Sequence, residues 1–343
     1  MTTDIIVQNQ ELTPVDISRM PSVVVEAGGA AQYAWEEFFD GQIENENTKA
    51  AYLNAVKRFL SYCQDIPLVQ IRPKHVSDYL KSLTDTKAKG RERRKVSAST
   101  KKLHLAAIRH FFDYQVMRHA VIINPATSVR GEKLKITEGK TIPLSTDHVN
   151  KLFNSIDRDT PVDYRDYAII ATLSFTLARV GAVAKLRVQD FYDGGDQWYL
   201  HMDEKGGNSR EIPVRHDLWR YITEYMQQGE ISMEGKDAPL FRNSPKGRAK
   251  SLTDNPMTTI NIWYMLKRRL LAAGLPTKMT PHSFRAGMAT HLLEQGVPLE
   301  EVQHLLGHAD PRTTKIYDHR KRVVTRNIVE RISIGPQYTN VER

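Results

Sequence analysis

Apolar residues recur at helical spacing along most of this chain, and that periodicity constrains the fold more than any other feature. Tyr52, Val56, Phe59, Leu60 and Cys63 fall at i, i+4, i+7, i+8 and i+11, which is one face of a helix. Asn45 or Asn47 can cap it, because a short polar side chain accepts from an orphan backbone N–H of the first turn. Pro73 opens a short helix at its first position, with Val76, Leu80 and Leu83 on one face. Residues 99–118 carry Leu105, Ile108, Phe112 and Val116 in a similar register, and Asn124-Pro125 marks a stop. A short helix is also expected over 31–40. Residues 29–130 therefore read as a bundle of about four helices. A tail over 1–28 precedes it, holding Pro14, Pro21 and the pair Gly28-Gly29.

Residues 131–143 are polar and basic and carry Gly131, Gly139 and Pro143, so the interdomain linker is placed there. A second domain is expected over 144–332. Ser145 or Thr146 caps its first helix, and a buried helix follows around 163–176. Three strand-like runs come next, 186–192, 197–202 and 210–214, parted by turns at Gly194-Gly195 and Gly206-Gly207. Helices are expected over 215–228, 257–273, 283–295, 299–306, 311–318 and 320–332, with a tail over 333–343. The expected class is mainly α with a small β-sheet: an N-terminal helical bundle and an α+β C-terminal domain. A length of 343 residues suits two domains.

Composition narrows the function classes. With 40% hydrophobic and 26% charged residues, the chain is neither disordered nor a small disulfide-stapled module. Its single cysteine, Cys63, allows no intramolecular disulfide and no multi-cysteine zinc site, which fits a reducing compartment. No apolar run approaches the roughly 18 residues needed to span a bilayer. The acidic N-terminus lacks a basic-then-apolar signal, so a cytoplasmic protein without membrane contact is expected. The net charge of +9 points toward nucleic acid. Its distribution points harder: −6 over residues 1–71, +11 over 72–140 and +4 over 141–343. Residues 87–102 hold eight basic residues, Lys87, Lys89, Arg91, Arg93, Arg94, Lys95, Lys101 and Lys102, against one acid, Glu92. Such a strip is either a solvated loop and helix start or a set of phosphate contacts that gains from counterion release. Ser97, Ser99 and Thr100 suit both a helix cap and phosphate hydrogen bonds.

Several chemistries are missing their motifs. There is no GxxxxGK[ST] loop, no GxGxxG fingerprint and no HExxH. His304 and His308 stand at i, i+4 but without a third ligand, so no metal and no cofactor is expected. The informative segment is 280–320. His282 and Arg285 form HxxR at a helix start, His308 ends LLGH, and Tyr317 ends TTKIY. In that order these residues resemble the C-terminal signature of the tyrosine recombinases, the phage-integrase family of site-specific recombinases. The family's first arginine follows a T-G-L-R-x-S-E-L context, matched here by residues 176–183 with Arg179. Its lysine sits in a hairpin of the type G-K-G-x-K-x-R-x-V-P, matched by residues 204–213 with Lys205. The N-terminal NTKAAYLNAVKRFLSYC resembles the family's core-binding domain. The resemblance spans about residues 30–330. The pattern is departed from at three places: Ala182 stands where the acid is usual, the usual leading glycine is missing because Leu177 and Ala178 precede Arg179, and Asn208 replaces a common second lysine.

The resemblance implies a DNA recombinase working through a covalent 3′-phosphotyrosyl link. Its partners would be double-stranded DNA with paired half-sites and further copies of the chain, a dimer on a core site and a tetramer in synapse. The residue types suit that chemistry on their own terms. A tyrosine can attack a phosphodiester and keep its bond energy, so no nucleotide is needed. Arg179 and Arg285 offer planar forks for the nonbridging oxygens. His308 adds a phosphate hydrogen bond, His282 acts on the tyrosine proton or orients its neighbours, and Lys205 is the candidate acid for the leaving 5′ oxygen. The rivals are a type IB topoisomerase, a DNA-binding regulator without activity and a metal-dependent nuclease. Tyr338 competes as nucleophile by residue type alone. The stripe Val324, Ile328 and Ile332 of the last helix would be ordinary core or, by resemblance, a contact to a neighbouring protomer.

Overall fold

A computed structural model describes residues 20–84, 95–132, 142–203, 209–245 and 250–318. The chain divides into two compact units, Met1–Lys135 and Ile136–Arg343.

The first unit is helical. α1 (Ser22–Glu26) and α2 (Gly29–Glu36) lead through a π turn at Glu37–Gly41 into α3 (Glu46–Tyr62), then α4 (Pro73–Ser82) and α5 (Ala98–Met117). Asn45 caps α3 and Ser97 caps α5, each accepting at 3.2 Å from the N–H three residues on. α1 lies within the stretch expected to be a tail. Val23 and Val24 are buried in the same core as Trp35 and Phe59, so Gly28-Gly29 separates two packed helices rather than a tail from a domain. Aromatic rings fill that core: Trp35, Phe38, Phe39, Phe59, Phe111 and Phe112 are all buried, and they meet edge-on or tilted. Beyond α5 the chain folds back, with Asn124 Nδ2 donating to Arg109 O and Asp113 Oδ1 on the helix.

The second unit begins with α6 (Thr146–Asn154), capped by Ser145, and α7 (Pro161–Thr176), capped by the reciprocal pair Thr160 and Asp163. α7 is buried on nearly every side; its apolar run Ala168–Ala171 lies in the core, and the charges it buries, Arg165 and Asp166, pair with each other at 2.6 Å. A short α8 (Val180–Lys185) follows, then a three-stranded antiparallel sheet in the order β1 (Phe191–Asp193), β2 (Trp198–Asp203), β3 (Ser209–Pro213). The strand expected from residue 186 starts only at Phe191. Asp190 accepts from the Arg187 N–H at 2.7 Å and closes residues 188–190 into a 3-10 turn instead. α9 (His216–Gln228) packs on α7, and α10 (Thr259–Ala272) follows. α11 (Pro281–Glu294), α12 (Leu299–Leu306) and α13 (Pro311–Lys315) complete the described chain. α11 begins two residues before its expected start because Pro281 is accepted in the first turn behind Thr280. α13 ends at Lys315, so Tyr317 stands in a turn rather than in the helix expected over 311–318. The helix expected over 320–332 and Tyr338 lie outside the described residues. Among the described residues no helix is long and apolar enough to cross a membrane.

Candidate active site

Four breaks in regular structure converge on one cluster, in which Arg285 and Tyr317 are buried, His308 is half-buried and Arg179 and His282 are exposed. The first is the end of α7. Thr176 Oγ1 donates to Thr172 O and accepts from the Ala178 N–H, and Leu177 turns left-handed at φ 53°. This turn delivers Arg179 to the start of α8. Leu177 stands where the family pattern has glycine, and its side chain is buried in the cluster that also holds Ala286, Val302 and Tyr317. Packing thus holds a residue in a region that costs an L-side chain about 1–2 kcal/mol.

The second break is the first turn of α11. His282 and Arg285, three residues apart, share one face. Arg285 is buried and donates from Nη1 to Leu177 O and from Nη2 to Leu306 O, each at 2.5 Å. One guanidinium therefore ties the ends of α7 and α12. The third break is the end of α12, where Gly307 turns left-handed at φ 61°. His308 follows, its backbone exchanging hydrogen bonds with Gln303 and its Nδ1 2.9 Å from Thr314 Oγ1. The fourth is the turn after α13. The Tyr317 N–H donates to Thr314 O, and Thr290 Oγ1 donates to Tyr317 O. The buried Tyr317 ring stacks on His308 with centroids 6.4 Å apart, and its hydroxyl lies 3.4 Å from His282 Nε2.

The electrostatics follow from burial and from cations in excess. Burial pushes the Tyr317 hydroxyl up, while Arg285 and Arg179 pull it back. Desolvation first, then Arg285 and Arg179, hold His282 below the usual imidazole range. His308 is pushed down to about 4 by burial, then by Arg285, Arg179, Arg210 and His282. Arg285 itself falls to about 10, chiefly through burial and then through Arg179. The buried Arg285 guanidinium, repelled by the exposed Arg179, is an arrangement that gains when an anion enters.

The structure brings together Arg179, His282, Arg285, His308 and Tyr317. Lys205, in the segment between β2 and β3, lies outside the described residues. So do Lys87, Lys89, Arg91, Arg93 and Arg94. Of the remaining basic strip, Lys95 and Lys102 are exposed, whereas Lys101 is half-buried and paired with Glu132 at 2.5 Å. Ser97 is engaged as the α5 cap. Ala182 is buried in the core of its unit. Among the described residues no group of three or more His, Cys, Asp or Glu is arranged for a metal ion, and His304 gathers none with His308. The sequence reading missed Arg210 on β3, which joins the charges acting on His308. Its signal was the arginine inside the hairpin pattern.

Known proteins carry the same organisation. The model of the phage integrase family matches residues 143–322, and that of the phage integrase N-terminal SAM-like domain matches residues 34–120. Tyrosine recombinase XerD of Listeria monocytogenes serotype 4b (strain F2365) is 30% identical over 285 residues, which covers 80% of this chain and 88% of that protein. Its namesake in Corynebacterium glutamicum is 30% identical over 283 residues, covering 80% and 87%. Among solved structures, XerH site-specific recombinase bound to palindromic difH substrate matches at TM-score 0.62 and 18% identity, over 89% of this chain and 86% of that one. A lambda integrase dimer bound to a COC' core site matches at TM-score 0.61 and 18% identity, over 92% and 85%. At that identity the structures speak for the fold.

Fold and sequence together define an enzyme that cleaves and rejoins DNA through a tyrosine. The chain belongs to the phage integrase family, the tyrosine recombinases.

Proposed function

We propose that Tyr317 is the nucleophile of a site-specific strand exchange and that the residues around it hold and activate one phosphodiester. The observation that carries this reading is the buried Tyr317 hydroxyl, 3.4 Å from His282 Nε2 and within the field of Arg285 and Arg179. The Tyr317 oxygen attacks phosphorus, its proton passes to neutral His282, and the bond to the 5′ oxygen breaks. Lys205 supplies the proton that the leaving oxygen takes up. Arg179 and Arg285 neutralise the nonbridging oxygens as charge develops there. Thr314 Oγ1 engages His308 Nδ1, so the phosphate contact falls to Nε2. Religation is the same step reversed on a new 5′ hydroxyl.

The substrate is double-stranded DNA carrying paired half-sites, with two protomers on a core site and four in synapse. The N-terminal unit contributes the basic segment 87–102 to phosphate binding, and the C-terminal unit cuts. Domain limits of 29–130 and 144–332, with a linker over 131–143, describe these roles, α1 being added to the first. The site of action is the cytoplasm, where DNA is met and a buried thiol such as Cys63 stays reduced.

A nicked suicide substrate tests the reading. A covalent protein–DNA adduct should accumulate in chelator and without ATP, and it should vanish in Tyr317→Phe. An adduct that survives that change moves the nucleophile elsewhere. Exchange of flanks between two sites separates recombination from relaxation alone.

A further inference from the structure

Arg210, the second residue of β3, pairs in register with Met202 of β2, and its side chain leaves the sheet toward the end of α12. There Nη1 donates to the Leu305 carbonyl. Gly307 makes this approach possible. A Cβ at that position would stand 2.8 Å from Arg210 Nε and 3.0 Å from its Cδ, and φ is already left-handed. Only glycine satisfies both the turn and the close passage. The neighbouring carbonyl, Leu306 O, is taken by Arg285. Two guanidiniums, one from the sheet and one from α11, therefore hold consecutive carbonyls at the end of α12. His308 is the second residue beyond them.

We propose that Arg210 is a positioning residue for strand cleavage: by fastening the end of α12 to β3, it sets where His308 meets the scissile phosphate. The proposal rests on the reading of His308 as a phosphate contact. The charges facing that ring are consistent with it. They come from Arg285 and His282 on α11, Arg179 at the start of α8 and Arg210 on β3, while the Tyr317 ring past α13 stacks on it. A guanidinium suits the task because its fork is planar and keeps its geometry, while a lysine could hold one carbonyl with less direction.

The test is a double-mutant cycle on the full chain, with the same nicked suicide substrate. In Arg210→Ala, half-site affinity should stay within about twofold, while single-turnover cleavage at saturating DNA falls by roughly 10²-fold, the scale of one oriented hydrogen-bonding group. Arg210→Lys should recover about a tenth or more of the lost rate. The decisive arm is Arg210→Ala in a His308→Ala background. If Arg210 acts through His308, the double variant cleaves within about threefold of His308→Ala alone, because contacts in one network do not add. Multiplied losses would make Arg210 a general structural residue and overturn the proposal, as would wild-type cleavage by Arg210→Ala or a parallel loss of half-site binding. Should the alanine variant fail to melt cooperatively, Arg210→Lys with and without His308→Ala carries the same comparison. Wild-type cleavage by His308→Ala would instead remove the reading of His308 on which the proposal stands.

Discussion

In the base role proposed for it, His282 accepts a proton beside two cations, and that conflict fixes its pH behaviour. Desolvation, Arg285 and Arg179 all lower its pKa. The neutral base therefore persists below the ordinary imidazole value of about 6.5. The acid limb of kcat/KM for suicide-substrate cleavage should lie below that pH, and Arg179→Gln should move it upward by removing one repelling charge. A limb that stays fixed in the variant would remove His282 from the base role. Leu177 is the other residue where local rule and packing disagree. Leu177→Gly relieves about 1–2 kcal/mol of left-handed strain but deletes a buried side chain whose loss costs about 2–5 kcal/mol. Denaturant titration should show a net loss, although glycine is the residue of the family pattern. At this scale His282, Arg285, His308 and Tyr317 were legible because they fall in one short signature. Arg210 stands at the arginine of the hairpin pattern, but its contact was not legible, because its partner Leu305 lies 95 residues further on.

Elements were legible where a cap or a proline announced them. Asn45, Ser97 and Ser145 each cap the helix that the periodicity placed after them. The six-residue α8 and the 3-10 turn at 188–190 escaped because neither spans two turns, so no periodicity can develop. The turn that holds Tyr317 was drawn into a helix for the same reason: residues 311–318 are polar and short, and the chain leaves α13 once Thr314 O accepts from Tyr317. α11 carries the strictest demand. A Cβ at Gly287 would lie 1.8 Å from Leu144 O, and the Leu144 N–H donates to Ser283 O at 3.1 Å. Gly287→Ala must push residue 144 away from the helix that positions His282 and Arg285. It should cost at least the upper end of the 1–3 kcal/mol typical of overpacking, read as a lower urea midpoint. Cleavage should fall with it, and a midpoint unchanged from wild type would show that residue 144 yields freely.

For the molecule as a whole, charge was the first clue and the least resolved one. A net of +9 concentrates in residues 72–140, yet the structure shows that basic residues in one strip are not equivalent. Lys101 is engaged by Glu132 at 2.5 Å, while Lys102 next to it is exposed. Sequence alone could not separate them, since Glu132 is brought to Lys101 only by folding. Counterion release gives a way to read the difference. Each phosphate neutralised contributes about −0.9 to the slope of log K against log salt concentration. If the strip holds DNA, Lys102→Gln should flatten that slope by up to about 0.9. Lys101→Gln should flatten it less, because its charge is already balanced by Glu132 before DNA arrives. The reciprocal change, Glu132→Gln, should steepen the slope by freeing Lys101 for a phosphate. Half-site binding across a salt series measures all three, and equal slopes for Lys101→Gln and Lys102→Gln would show that the Glu132 pair opens on DNA.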